Sequence, residues 1–170
     1  MYKRIRKYVL TFFLKIMPNM AFFKINRYIL SLMGHEVAFS ARVWSSIDIL
    51  GTVNLRIGKD TFIGHRFTVS GDNCNVEIGD YCDISSNVSF VNGSHLIDLN
   101  GPRIAGEGFS LDIKVGNRVW IGYGSIVLGG IDIGDNVIIG AGSLVNKNIP
   151  SNTIYAGIPA KIIRDLTMNN

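Results

Sequence analysis

The sequence predicts a mainly β fold in which short strands wind into a three-sided solenoid of about five coils. The first sign is a repeat of six from Val115 to Pro150, where Val115, Ile121, Val127, Ile133, Ile139 and Val145 open successive blocks and Gly116, Gly122, Gly134 and Gly140 follow four of them. A helical period of 3.6 would scatter these aliphatics round every face, whereas a strand, a corner and another strand point each of them inward. The same register continues upstream in sets of three: Val37, Val43, Ile49; Ile57, Ile63, Val69; and Ile78, Ile84, Phe90, separated by 8, 9 and then 25 residues. Every interruption falls after three blocks, so three strands make one turn of a triangular prism and all insertions leave at the same corner. Composition agrees, since 19 Gly against four Pro suits a turn-rich repeat rather than a linker. Stacked coils then bury a continuous aliphatic column in place of a globular core.

In chain order, residues 1–34 form a helical, basic and aromatic segment. Residues 2–17 place Ile5, Val9, Phe12 and Ile16 on one helical stripe, with Lys3, Arg4, Arg6 and Lys7 crowding the first turns and Pro18 interrupting. A second apolar helix runs roughly from residue 20 to 33 and stops at Gly34. The segment lacks the small-residue cleavage site of a signal peptide. Lys15, Pro18 and Lys24 break every run long enough to span a bilayer. Two readings stand: a cap on the end of the solenoid, and an interfacial membrane helix in peripheral contact with lipid; one segment can do both. Residues 35–156 are the solenoid, interrupted by a loop at 92–114, and residues 157–170 are a C-terminal tail. A loop of that length in a compact domain is commonly functional.

Charge and chemistry narrow the function. Residues 1–33 hold seven Lys or Arg and no acid, while the rest of the chain is net negative. Because those basic residues come with long apolar runs, nucleic acid is not the expected partner. Cys74 and Cys82 match no metal or redox spacing and read as buried free thiols. His35, His65 and His95 offer no paired ligand spacing, so no metal site is expected; His65, two places after an inward Ile, reads as solvent-facing. The long loop opens with NGSHLID and carries His95, Asp98, Arg103, Glu107 and Asp112. A His whose ring is fixed by an acid at one nitrogen offers the other as a general base near neutral pH.

The pieces NRVWIG (117–122), IGAGSLVNK (139–147) and AGIPAKIIR (156–164), in that order and behind a His-bearing loop, resemble the hexapeptide-repeat acyltransferases. This is the left-handed β-helix family that includes maltose, galactoside, serine and polysaccharide acetyltransferases, and the left hand is implied by the resemblance alone. It implies an acetyl-CoA-dependent transfer to a hydroxyl with His95 as general base, in GSHLID where the family has T-x-H-P-[IL]-D; Leu96 replaces the Pro. Asp98 and Glu107 match acids of that site, and the choice between them as partner of His95 stays open. Trp120 falls at the family's acetyl-CoA site. Gly122, Ala141, Gly142 and Ser143 correspond to a small-residue groove for the pantetheine arm, and Tyr123, Asn146 and Lys147 to cofactor contacts. Pro159 belongs to the turn at the end of that groove, and Lys161 and Arg164 to the nucleotide phosphates. The resemblance further implies a homotrimer with each site between two prisms and no metal requirement.

The basic, aromatic N-terminus is similar to that of surface-polysaccharide acetyltransferases. The expected acceptor is therefore a glycan or lipid-linked sugar in capsule, O-antigen or exopolysaccharide synthesis. The expected location is the cytoplasm, peripheral at the inner face of the cytoplasmic membrane. A soluble acetyltransferase of a small acceptor (a free sugar, serine, an antibiotic or an amino-sugar nucleotide), a non-catalytic scaffold and a metal-dependent relative such as a γ-type carbonic anhydrase are the alternatives.

Overall fold

A computed structural model of the chain describes residues 2–18 and 22–167, with side chains from residue 8 onward. Ile5 of the predicted stripe, the basic cluster Lys3, Arg4, Arg6 and Lys7, and the last residues of the tail lie outside the described side chains. Helices α1 (Tyr2–Ile16) and α2 (Phe23–Leu32) precede the solenoid.

The first coil holds β1 (Glu36–Val37), β2 (Arg42–Val43) and the start of β3 (Asp48–Ile57), which runs on into the second coil with β4 (Phe62–Ile63). β5 (Thr68–Ile78) likewise joins the second coil to the third, which continues through β6 (Asp83–Ile84) and β7 (Ser89–Val91). The strands β8 (Gly93–Ile97) and β9 (Ala105–Ser110) then leave the prism as an antiparallel hairpin. β10 (Ile113–Val115), β11 (Trp120–Ile121) and β12 (Ile126–Leu128) make the fourth coil, and β13 (Asp132–Ile133), β14 (Ile138–Ile139) and β15 (Leu144–Val145) the fifth. The antiparallel pair β16 (Thr153–Gly157) and β17 (Ala160–Asp165) closes the C-terminal end on the face of β14.

The six-residue register places the aliphatics in three parallel columns. One face stacks Val37, Ile57, Ile78, Val115 and Ile133. The second stacks Val43, Ile63, Ile84, Ile121 and Ile139, and the third Ile49, Val69, Phe90, Val127 and Val145. All fifteen point inward; Val37 and Ile49, in the first coil, are only partly covered and the others are buried.

Side chains hold successive coils together at the corners. Asp80 Oδ1 accepts the Lys59 amide, Asn117 Oδ1 that of Asp80, Asp135 Oδ1 that of Asn117, and Ser151 Oγ that of Asp135. The backbone turns there through left-handed residues, including Asp60, Tyr81, Arg118, Asn136 and Asn152. Side-chain acceptors thus satisfy amides that a plain strand would leave unpaired at each corner.

Two expectations need correction. The 8- and 9-residue gaps are not protruding insertions: β3 and β5 stay paired straight through that corner, from Asp48 and Thr68 to Ile57 and Ile78, with one slip between Thr52 and Val53. Val53, Leu55, Cys74 and Val76 turn inward there, so the longer spacing makes strand. Only the 92–114 insertion leaves the prism, and it does so mostly as β-hairpin. The second correction concerns α1. Val9, Phe12 and Ile16 of the predicted stripe are exposed; Leu14 is buried, with Leu10 packed beside it. Apolar residues occupy most of this helix's circumference, and docking selects the side anchored by Lys15 on Asp48 and by the Ser45 hydroxyl on the Met17 carbonyl. α2 buries Asn26, Ile29 and Leu30 on the first coil and ends at Leu32, just before the predicted stop Gly34, whose φ of 100° continues no helix.

Candidate functional site

The hairpin is held from its base. Asn92, buried, donates through Nδ2 to the Leu111 carbonyl, and the Leu111 amide returns a bond to Asn92 O. Ser110 Oγ accepts the Asp72 amide, and the Asp112 carboxylate accepts both the backbone and the side-chain N–H of Asn75. Those two bonds hold the Asp112 carboxyl below the ordinary aspartate value.

On this support β8 presents His95, exposed and opposite Gly108. Its Nδ1 lies 2.9 Å from the Gly106 carbonyl oxygen. A carbonyl only accepts, so the neutral ring carries its proton on Nδ1 and keeps a lone pair on Nε2. The ring borders an open cleft of about 560 Å³, lined also by Asp72, Asn73, Ser94, Phe109 and Ser110. Neither candidate acid is the ring's hydrogen-bond partner within one chain. Asp98 Oδ1 accepts the amides of Asn100 and Gly101 and so shapes the hairpin tip. Glu107 is exposed on β9.

The other predicted residues fall on two edges and one end of the prism. Trp120, 54% exposed, stands on the second face with its indole N–H toward Ser85 Oγ, beside a cleft of about 360 Å³ lined by Phe62, Asp83 and Ser85. Gly122, Tyr123, Ala141, Gly142 and Ser143 follow at the corner between the second and third faces, where the Gly142 amide bonds Tyr123 O across coils. The Tyr123 hydroxyl meets Asn87 Nδ2.

The small residues here have different reasons to be small. A Cβ on Gly122 would sit 2.5 Å from Ala141 N, so coil stacking excludes it. Gly142 has a φ of 68°, and an added Cβ would meet nothing within 4 Å, so the edge is open beside it. Ser143 is buried; its hydroxyl donates to Gly140 O and accepts the Gly157 amide, and the side chain belongs to the corner rather than to a groove wall. Asn146 and Lys147 are exposed at the next corner, the one that also emits the hairpin two coils earlier. Pro159 lies in the turn between β16 and β17, and Lys161 and Arg164 are exposed on β17.

His65 departs from expectation. It is half-buried, with Nδ1 2.8 Å from Ser46 Oγ and its ring 5.6 Å from that of Trp44, on the same corner as Tyr123. Spacing from Ile63 had placed it outside the core, which is true. The Ser46 contact comes from the neighbouring coil, 19 residues away, where no local pattern reports it. Cys74 and Cys82 are free and buried, and burial pushes both thiols up, which makes them poor nucleophiles. Among the described residues no cluster of His, Cys, Asp or Glu has the geometry of a metal site.

Repeat, triangular stacking and one projecting hairpin define a hexapeptide-type parallel β-helix, whose left hand follows from its likeness to solved hexapeptide-repeat acetyltransferases. Residues 112–147 match the family described as bacterial transferase hexapeptide (six repeats), and residues 54–89 the hexapeptide repeat of succinyl-transferase. The chain belongs to the hexapeptide-repeat transferase family.

It is 39% identical over 113 residues to the galactoside O-acetyltransferase of Escherichia coli (strain K12), a match covering 66% of this chain and 55% of that protein. The chain thus spans little more than half the length of such a relative. Among solved structures it resembles a galactoside acetyltransferase in complex with coenzyme A, with a TM-score of 0.75 and 27% identity over 97% of this chain and 81% of the other. The polySia-specific acetyltransferase NeuO gives a TM-score of 0.69 and 31% identity over 78% of this chain and 61% of the other.

Proposed function

We propose that the protein transfers an acetyl group from acetyl-CoA to a sugar hydroxyl of a bacterial surface polysaccharide or its lipid-linked precursor, as a homotrimer at the inner face of the cytoplasmic membrane. The observation that carries this reading is the Nδ1 bond of His95 to the Gly106 carbonyl, which leaves Nε2 free over an open cleft. Galactoside acetyltransferase, whose solved complex holds coenzyme A, and the polySia-specific NeuO supply the donor and the acceptor class by analogy.

The edge at Gly122, Tyr123, Ala141 and Gly142 fits a cofactor's extended arm, since the space an added Gly142 Cβ would enter is empty. Lys147, Lys161 and Arg164 are exposed cations suited to phosphates. Acetyl-CoA, when bound, supplies an activated acyl thioester. Nε2 of His95 would take the proton of the acceptor hydroxyl as that oxygen bonds to the acetyl carbonyl carbon and the C–S bond breaks, and the imidazolium would pass the proton to the leaving sulfur, giving the acetyl ester and a free thiol. Gly106 O holds Nδ1–H throughout and steadies the ring in its cationic state.

Topology supports the trimer. The hairpin of His95 leaves the corner after the third face whereas Trp120 stands on the second, so a second copy is the natural source of the opposing wall. The hairpin's exposed Leu96, Ile97, Leu99 and Ile104 give it an apolar surface for such a neighbour. Light scattering should return three times the 18.7 kDa chain mass.

The decisive assay follows thiol release from acetyl-CoA with a panel of glycans, free sugars and serine. His95→Ala should lower the rate by about 10²- to 10⁴-fold. An unchanged rate would remove His95 as the base, and activity confined to free sugars would favour the small-acceptor reading that the galactoside relative offers.

A further inference from the structure

The two helices leave an apolar surface that the solenoid does not use. Tyr8, Val9, Phe12, Phe13 and Ile16 are 65, 48, 63, 47 and 56% exposed. At 100° per residue these five fall within an arc of roughly 140° on α1. On α2, Ile25, Tyr28 and Leu32 are also exposed. Apolar side chains gathered on one arc of a docked helix call for a covering surface.

We propose that this arc of α1 lies in the headgroup region of an anionic lipid bilayer, parallel to its plane. The proposal gives the inner-face location above a named surface and a lipid class; it does not involve the transfer chemistry, so vesicle binding and thiol release can fail separately. Charge selects the occupant. Residues 1–33 carry seven Lys or Arg and no Asp or Glu, which an anionic leaflet attracts and which a second copy of the same segment would repel.

Length selects the geometry. Fifteen residues of helix extend about 22 Å, short of the roughly 30 Å hydrocarbon core, and among the described residues no helix is long and apolar enough to cross. Leu14 is buried on the opposite side of α1 and Lys15, at the flank of the arc, reaches Asp48 of the first coil, so the prism holds the arc outward instead of letting it fold back. Phenylalanine and tyrosine on one side of a basic helix are the composition of a helix that rests on a membrane.

Co-sedimentation of the full chain with vesicles tests this. Phosphatidylcholine vesicles containing about 30% phosphatidylglycerol should carry most of the protein down and pure phosphatidylcholine little of it. Raising salt from about 0.1 M to about 1 M shortens screening from ~10 Å to ~3 Å and should lower the bound fraction several-fold. The double variant Phe12→Asp, Ile16→Asp should bind at least about ten-fold less, with unchanged melting temperature and oligomeric mass. Should that variant not fold, Phe12→Trp reports instead, its emission shifting blue on mixed vesicles and not on neutral ones. Protein left in the supernatant with every vesicle overturns the proposal. So does an aspartate pair that leaves vesicle binding intact, or one that alters the oligomeric mass and so assigns the face to a second copy.

Discussion

Gly122 and Gly142 sit one coil apart on the same edge, and alanine at each should fail for a different reason. At Gly122 the added Cβ would lie 2.5 Å from Ala141 N and 2.8 Å from Ile139 O, both backbone atoms of the next coil. Overpacking of that kind costs roughly 1–3 kcal/mol, so Gly122→Ala should lower the urea midpoint clearly. At Gly142 no atom lies within 4 Å, and the cost is that of a left-handed backbone, roughly 1 kcal/mol, with the edge still open. Equal destabilisation by a clash at both sites, read as a matching loss of packing cooperativity, would contradict this. The family pattern groups these residues with Ser143 as small. Only the contacts between coils separate a stacking glycine, a turning glycine and a serine whose hydroxyl pins the Gly157 amide.

Among elements, the hairpin depends most on a few polar bonds. Asp112 closes its exit by accepting two bonds from Asn75, and its lowered pKa makes the contact pH-dependent. A carboxyl whose folded value lies below its unfolded value stabilises the fold above the unfolded value of about 3.8 and loses that contribution as pH falls through the folded one. Asp112→Asn should therefore melt below wild type at neutral pH, with the gap closing as pH falls below about 4; a gap constant with pH would show that the charge is not what matters.

The prism itself was legible in the sequence because the side-chain period of a coil is written directly in aliphatic spacing, and all fifteen named positions point inward. Insertion lengths are less informative. The same rule that found the hairpin made β3 and β5 look like loops, since spacing counts residues and does not say whether they pair with the next coil. α1 defeated the periodicity argument because apolar residues on two sides of one helix leave the docking side to tertiary contact. At the candidate site, the place of His95 on the projecting segment was legible from the spacing. Its bond to Gly106, eleven residues on and across the hairpin, was not, and neither was the contact between His65 and Ser46 from the coil before.

For the whole molecule, the proposed trimer would build its site from two copies in a defined arrangement, and that proposal is testable without a structure of the assembly. Each coil contacts only its neighbours, so the prism is stiff along its axis and cannot fold the hairpin's corner onto the face of Trp120. One chain should therefore supply His95 and the next the edge at Gly122 and Ala141. His95→Ala disables the first contribution and Ala141→Trp, which fills the open edge, the second. Alone, each variant should be nearly inactive. Unfolded together and refolded at equal amounts, they should assort at random, and about a quarter of the interfaces in a closed cyclic trimer would join an intact imidazole to an intact edge. Thiol release should then recover to about that fraction of wild type, and mixing the folded trimers without unfolding should recover none of it. A mixture that stays inactive after co-refolding, with its trimer mass intact, would place the whole site within one chain.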